Sequence, residues 1–205
     1  MLQRALFITI LLCVLLIGCK GGVLSSQEVL DRMGNADTYN SECIMKVQNN
    51  KSVFTYNLKQ YYKRQDKYRV EFYDDTGGIK QTIIYNDNKC GVFHTGISKP
   101  FLSDNFIGTK EHSSFLSAFI ANYKEDEKAE EALDTSEGNN YYIFTCNLEN
   151  QNTYFKKSIL RVDAKNAVPK LLIILGDKDN KTIEISYVNF SYNVPIDDSL
   201  FSLEY

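Results

Sequence analysis

The sequence predicts an α+β domain, mainly β, in which one strongly curved antiparallel sheet wraps around one or two helices. Three observations lead there. From Thr38 to about Gly96 apolar and polar residues alternate with period two, as strands with one face on a core require, and strands resume from Asn140 to Tyr192. Between these runs Phe115, Leu116, Phe119, Ile120 and Tyr123 recur at helical spacing over a wide apolar arc, which marks a helix buried against the sheet. The breaks are short turn signals rich in Asn, Asp and Gly, such as Asp74-Asp75-Thr76-Gly77-Gly78 and Asn86-Asp87-Asn88, so successive strands form a meander.

The chain opens on a segment outside that domain. Arg4 precedes an apolar run from Ala5 to Ile17, the order of a signal-peptide n-region and h-region. The run is too short to cross a bilayer core of about 30 Å comfortably. It ends in Leu16-Ile17-Gly18-Cys19, which resembles the bacterial lipobox: Leu, a small or aliphatic residue, Gly or Ala, then Cys. The resemblance implies that residues 1–18 are a lipoprotein signal peptide and that Cys19 carries a diacylglycerol thioether at the new amino terminus. Two or more acyl chains, at about 0.8 kcal/mol per buried methylene, hold a protein on a membrane essentially permanently. Residues 19–24, with Gly21 and Gly22, read as a lipidated tether, and residues 25–205 as a single domain.

Within that domain, Ser25 is placed to cap a first helix. Glu28 three residues on completes a capping box, Val29, Leu30 and Met33 supply an apolar face, and Gly34-Asn35 ends it. In the meander that follows, Cys43, Met45 and Val47, then Phe54, Tyr56 and Leu58, then Tyr68, Val70 and Phe72 occupy one phase of about five strands. The segment from Ile97 to His112 loses periodicity but keeps Pro100, Phe101, Leu102, Phe106 and Ile107. Such a loop either tucks back as a lid or plug or forms an exposed docking patch. Ser113-Ser114 is read as the capping start of the second helix, and Lys124 to Asp134 as a solvated helical extension and loop. In the closing strands, Leu171 to Leu175 is apolar on both faces. It must be covered twice, or leave one face for a ligand or partner.

Composition excludes several classes of function. The formal net charge is -3, and with no basic stripe or RNA-binding aromatic motif the chain is not a nucleic-acid binder. Lysine greatly outnumbers arginine and tryptophan is absent, a bias associated with AT-rich, low-GC Gram-positive genomes. Of five cysteines, Cys13 leaves with the signal and Cys19 is lipidated. Cys43, Cys90 and Cys146 remain, an odd number, and read as small buried hydrophobes ahead of one disulfide plus a free thiol. Convergent chemistry is thin. Cys90 and His94 share a strand face without a second ligand pair, the other histidine is His112, and Asp74-Asp75 and Asp197-Asp198 fit turns. No H-E-x-x-H, Walker, G-x-S-x-G or C-x-x-C motif is present. The expectation is a protein that is not an enzyme and has no catalytic residue, metal or cofactor.

Two stretches carry a family resemblance. Asp66-Lys67-Tyr68-Arg69-Val70-Glu71 resembles the early "P-x-x-Y/F-R-x-E" strand of the LolA/LolB lipoprotein carriers. Tyr187-Val188-Asn189-Phe190 with Asn193-Val194-Pro195-Ile196-Asp197-Asp198-Ser199-Leu200-Phe201 resembles their closing "Asn-x-x-I-D-x-S-x-F". The resemblance implies an unclosed LolA/LolB-like barrel with an apolar inner surface. Within that superfamily, the lipobox and low-GC bias look most like the clostridial GerS spore-germination lipoproteins. That implies a non-enzymatic partner and activator of a cortex N-acetylmuramoyl-alanine amidase, on the extracytoplasmic face of a cell or forespore membrane; whether copies exchange an edge strand to form a homodimer is left open by the sequence. The other reading is a lipid or lipoprotein carrier or sensor that uses the apolar cradle. Candidate binding residues are Phe101, Leu102, Phe106 and Ile107 in the loop, and Ile174 in the cradle together with Phe72, Ile84 and Phe119.

Overall fold

The computed structural model describes residues 22–49, 51–136, 138–148 and 153–204; the lipobox and Cys19 lie outside them. Helix α1 (Ser26–Gly34) leads into strands β1 (Thr38–Gln48), β2 (Val53–Lys63), β3 (Lys67–Tyr73), β4 (Ile79–Asn86), β5 (Lys89–His94) and the short β6 (Phe101–Ser103). A single turn, α2 (Lys110–Ser113), precedes helix α3 (Leu116–Glu125). Strands β7 (Glu130–Ser136), β8 (Asn139–Asn147), β9 (Lys157–Asp163), β10 (Pro169–Leu175) and β11 (Lys181–Tyr192) follow, and a 3-10 turn at Asp198–Phe201 closes the chain. Among the described residues these eleven strands form one antiparallel sheet, ordered β6-β5-β4-β3-β2-β1-β11-β10-β9-β8-β7. The sheet is curved and unclosed, as expected. Every neighbouring pair is consecutive in sequence except β1 and β11, so two meanders are joined at the middle by the first and last strands.

Local chemistry explains the elements. Ser25 caps α1 through a full capping box: its Oγ accepts from Glu28 N–H, and its own N–H donates to Glu28 Oε2 at 2.7 Å. The two-residue turn Asp87-Asn88 joins paired Asn86 and Lys89 with both φ values positive, at 50° and 61°, the geometry that matches strand twist in a tight hairpin. Asp74 Oδ1 accepts from the Thr76 and Gly78 backbone N–H groups and holds the β3–β4 turn.

The inner face of the sheet and the two helices form the core. Phe115, Leu116 and Phe119 meet Phe144, Leu160, Leu172, Ile174, Ile183 and Ile185, all essentially without exposure. Each such side chain contributes about 1.5–3 kcal/mol by leaving water, which fixes α3 on the sheet more firmly than helix propensity alone. The three described cysteines are free and buried, which settles them as small core hydrophobes.

The structure departs from the sequence reading in three places. Glu130–Ser136 is a strand rather than a solvated extension. It lies at the sheet edge and is exposed on most of its length, so it carries no alternation to read. Phe101–Ser103, inside the aperiodic loop, is likewise an edge strand, on β5. The Ser113-Ser114 pair does not cap α3. Thr109 caps α2 instead, α3 starts after Phe115 with no side-chain cap, and Ser114 is completely buried.

Candidate functional site

The loop residues singled out for binding separate into two groups. Phe101, Leu102 and Ile107 stand 54–68% exposed, while Phe106 is 2% exposed. Phe106 stacks on Tyr85 at 5.0 Å and packs against Tyr68 and His112, so it is a plug that anchors an otherwise exposed loop. Ile174 is 0% exposed and contributes to the core rather than to an open wall. Ile84 lies on the opposite face of the sheet. It pairs across β3 with Arg69, whereas its neighbours Ile83 and Tyr85 pair with the inward Val70 and Tyr68.

A polar clamp fastens the helices inside the sheet. Gln60, fully buried on β2, donates from Nε2 to Ser114 Oγ (2.6 Å) and Ser114 O (3.2 Å). Tyr187 on β11 donates to the same carbonyl at 3.0 Å, Ser114 Oγ donates to Glu111 O, and Ser41 Oγ donates to Gln60 Oε1. Buried polar groups satisfied in this way specify one arrangement, because any other strands them. The signal was legible: Gln60 and Ser41 are polar residues in the apolar phase of their strands.

Beside the clamp, a cleft of about 490 Å³ opens between α1, α3 and the β2–β3 turn, lined by Met33, Tyr39, Tyr62, Tyr68, Ile107 and Ile120 among others. His112 borders it. Burial drives the His112 imidazole down to about 4, with Asp66 opposing. Its Nδ1 accepts from Gly108 N–H at 3.3 Å, as only a neutral ring can. The thiols are unreactive for the same reason: burial lifts Cys43 and Cys146 each to about 12. His94, on the Cys90 face, is exposed while Cys90 is buried. Among the described residues no His, Cys, Asp and Glu side chains group to hold a metal.

On the outer face, the two stretches that carry the family resemblance meet. Arg69 on β3 grips Glu71 (Nη2 to Oε1 2.6 Å) and donates from Nη1 to Leu200 O at 2.9 Å. Lys63 and Lys67 bind Asp198 at 3.1 and 2.8 Å, and Asn86 donates to Phe201 O. Phe201 is fully buried. Gly91 makes room beside it: a Cβ there would lie 2.8 Å from Leu203 Cδ2. The "R-x-E" strand and the closing "I-D-x-S-x-F" segment are therefore one structural unit, a C-terminal strap over β3, β4 and β5. Ile84 and Thr82, buried on this outer face, belong beneath it.

No described element covers the outer face on the other side of the sheet. Leu171 and Ile173 of β10, Ile159 of β9 and Ile143 of β8 are half-buried there, and Ile44 and Val188 are exposed near the centre. Of the doubly apolar β10 strand, Leu172 and Ile174 fill the core and the alternate residues face outward, half-buried.

The fold has counterparts among known proteins. The model of a family described as sporulation protein YdcC-like matches residues 2–201. The chain belongs to that family. No curated protein matches this YdcC-like chain. Among solved structures, a conserved protein of Thermus thermophilus is similar with a TM-score of 0.56 and 11% identity, over 87% of this chain and 94% of the other. A Vibrio parahaemolyticus domain ascribed to outer-membrane lipoprotein sorting is similar at 0.50 and 11% identity, over 86% and 94%. These likenesses concern the fold, and agree with the lipoprotein-carrier architecture. The Clostridioides difficile complex of the CwlD amidase with the GerS lipoprotein is similar at 0.49 and 24% identity, over 82% and 96%. Among the described residues of the YdcC-like chain no helix is long and apolar enough to cross a membrane.

Proposed function

We propose that this sporulation-family protein is a non-enzymatic binding lipoprotein. It is tethered through diacylglyceryl-Cys19 to the extracytoplasmic face of a cell or forespore membrane, where it binds and activates a cortex N-acetylmuramoyl-alanine amidase needed for germination. The observation that carries the binding-module reading is the filled interior. A carrier needs its inner face open, yet Phe115, Leu116 and Phe119 occupy it and the Gln60–Ser114 clamp holds them there. The apolar surface left over lies outside, on β8 to β11 and at Phe101, Leu102 and Ile107, where a macromolecule can reach it. The amidase as partner comes from the GerS resemblance, which the lipobox and the low-GC bias carry within the lipoprotein-carrier fold. A tether adds local concentration, which strengthens a modest interface without new contacts.

Purified protein is mixed with the amidase, and binding and peptidoglycan cleavage are measured with and without it. A gain in either supports the proposal; no gain in both removes the amidase partner. Mass spectrometry of the amino-terminal peptide reads the anchor directly, and a Cys19→Ala protein should lose the diacylglycerol mass and leave the membrane fraction.

One observation favours a second reading. The 490 Å³ cleft places Tyr39, Tyr62, Tyr68 and Ile107 beside Lys124 and Asp66, a mix suited to an amphipathic ligand such as a lipid. Co-purifying lipid, detected by mass spectrometry and lost in an Ala118→Phe variant that fills the cleft, would support it.

A further inference from the structure

We infer that the free edge of β7 is where a partner protein adds a strand, and that the strand is basic. The inference rests on the binding-module reading and assigns it a surface. The sheet has two open edges, and they are built differently. At one end β6 is only three residues long, and Lys99-Pro100 stands immediately before it; shortness, lysine and proline are standard guards against strand addition. At the other end β7 runs seven residues in unbroken register with β8. It contains no lysine, no proline and no bulge, and Glu130 to Leu133 are all exposed, Leu133 by 58%. No described strand pairs with its far side. An edge this long and regular is a template for an incoming backbone.

Charge chooses the occupant. Glu125, Asp126, Glu127, Glu130, Glu131 and Asp134 lie on or just before the strand, with Lys128 alone among them. Asp134 is held by Arg161, Glu131 accepts from Ser26 Oγ, and Asp126 binds Asn147. A second copy of β7 laid against the first would set carboxylates beside carboxylates, which destabilises a cross-strand pair, whereas lysine or arginine would be favourable. The register supplies the pattern. Glu130, Ala132 and Asp134 share the outer face with Ile143, while Glu131 and Leu133 share the inner face with Phe144 and Tyr142. A matching strand carries two cations four residues apart on its outer side with an apolar side chain between them, and an apolar residue inward at Leu133. From Ala132 the outer-face register runs through Ile143 and Arg161 to Leu171, so the body of a protein that docks its strand here reaches the uncovered apolar face across the Arg161 side chain.

The test uses the full chain and a capped probe peptide, Thr-Lys-Leu-Val-Lys-Lys-Thr, with Thr-Glu-Leu-Val-Glu-Glu-Thr as the charge-inverted control. Two further versions of the basic peptide are N-methylated at alternate residues, one at odd and one at even positions. Strand addition predicts that the basic peptide binds, that the acidic one does not, and that only one methylated version loses binding, since only alternate N–H groups point at the edge. Amides of residues 130–136 gain hydrogen-exchange protection, and Glu130→Lys with Ala132→Lys, both at exposed positions, weakens the peptide about tenfold. Equal binding by both methylated peptides, binding by the acidic peptide, or protection that rises with protein concentration alone, as for a self-pair, overturns the inference. The amidase provides the separating measurement. If it binds wild type and the Glu130→Lys/Ala132→Lys protein equally, this edge is not the partner's site and the inference fails while the binding-module reading stands. If it binds the wild type alone, both hold.

Discussion

Replacing Gln60 with methionine probes the polar clamp without opening a hole, because the two side chains have similar length and flexibility. The amide makes a 2.6 Å and a 3.2 Å bond to Ser114 and receives a longer 3.4 Å bond from Ser41. A made hydrogen bond is worth about 1 kcal/mol net, so losing the two good ones costs about 2 kcal/mol. The cost stays near that figure because the Ser114 carbonyl retains Tyr187 and its hydroxyl retains Glu111, leaving no group wholly stranded. Ser114→Ala removes one of the same contacts from the other side. In urea denaturation, the Gln60→Met/Ser114→Ala double variant should therefore be less destabilised than the sum of the singles by about 1 kcal/mol. Additivity within about 0.3 kcal/mol would refute the claim that these residues act through each other, and with it the account of how α3 is held in the sheet.

Two other perturbations test neighbouring features. His112 is held neutral by burial, with its folded value at about 4 against 6.5 for the free side chain. Its contribution is complete above pH 6.5 and is lost as pH falls from there towards 4, where the unfolded chain binds the proton first. At about 1.4 kcal/mol per pH unit the loss is about 3 kcal/mol, and a His112→Phe variant should show that much less acid destabilisation over the same window in denaturant titrations. Phe201→Ala empties a fully buried site and should cost about 3 kcal/mol. Limited proteolysis should then cleave after Tyr192 while the sheet stays intact; an unchanged digestion pattern would show that the strap is held by its polar contacts alone.

What the sequence made legible tracks which side chains face a core. Strands β4 (Ile83-Ile84-Tyr85) and β10 (Leu171 to Leu175) read as apolar runs bounded by turn signals, while the first helix, strands β1 to β3, β8 and β11, and the buried α3 announce themselves by period, because one face of each is apolar and packed. Strands β6 and β7 do not. An edge strand with both faces in solvent has no reason to alternate, so Glu130–Ser136 reads as a charged linker although its backbone is fully paired on one side. Phe106 was visible as an apolar residue in a loop, but its burial depends on Tyr68, Tyr85 and Phe115, which come from three other parts of the chain. The strap was present as two motifs over a hundred residues apart; that Arg69 and Leu200 touch is a fact of topology, not of either motif. Cys19, on which the proposed anchor depends, lies outside the described residues, and its chemistry is an argument from its neighbours in sequence.

The pairing of β1 with β11 has a consequence for how the protein is made. Val47 waits for Ile183 and Tyr39 for Tyr192, so the seam between the two halves closes only after nearly the whole polypeptide has emerged. Each meander can zip up locally as it appears, but the joined sheet depends on contacts of the longest sequence separation, which form slowly. A chain that stalls or is cut before residue 181 is left with two half-sheets, each presenting an unsatisfied border at what should be the centre of the molecule. Quality control of this protein therefore reduces to whether its final strand arrives.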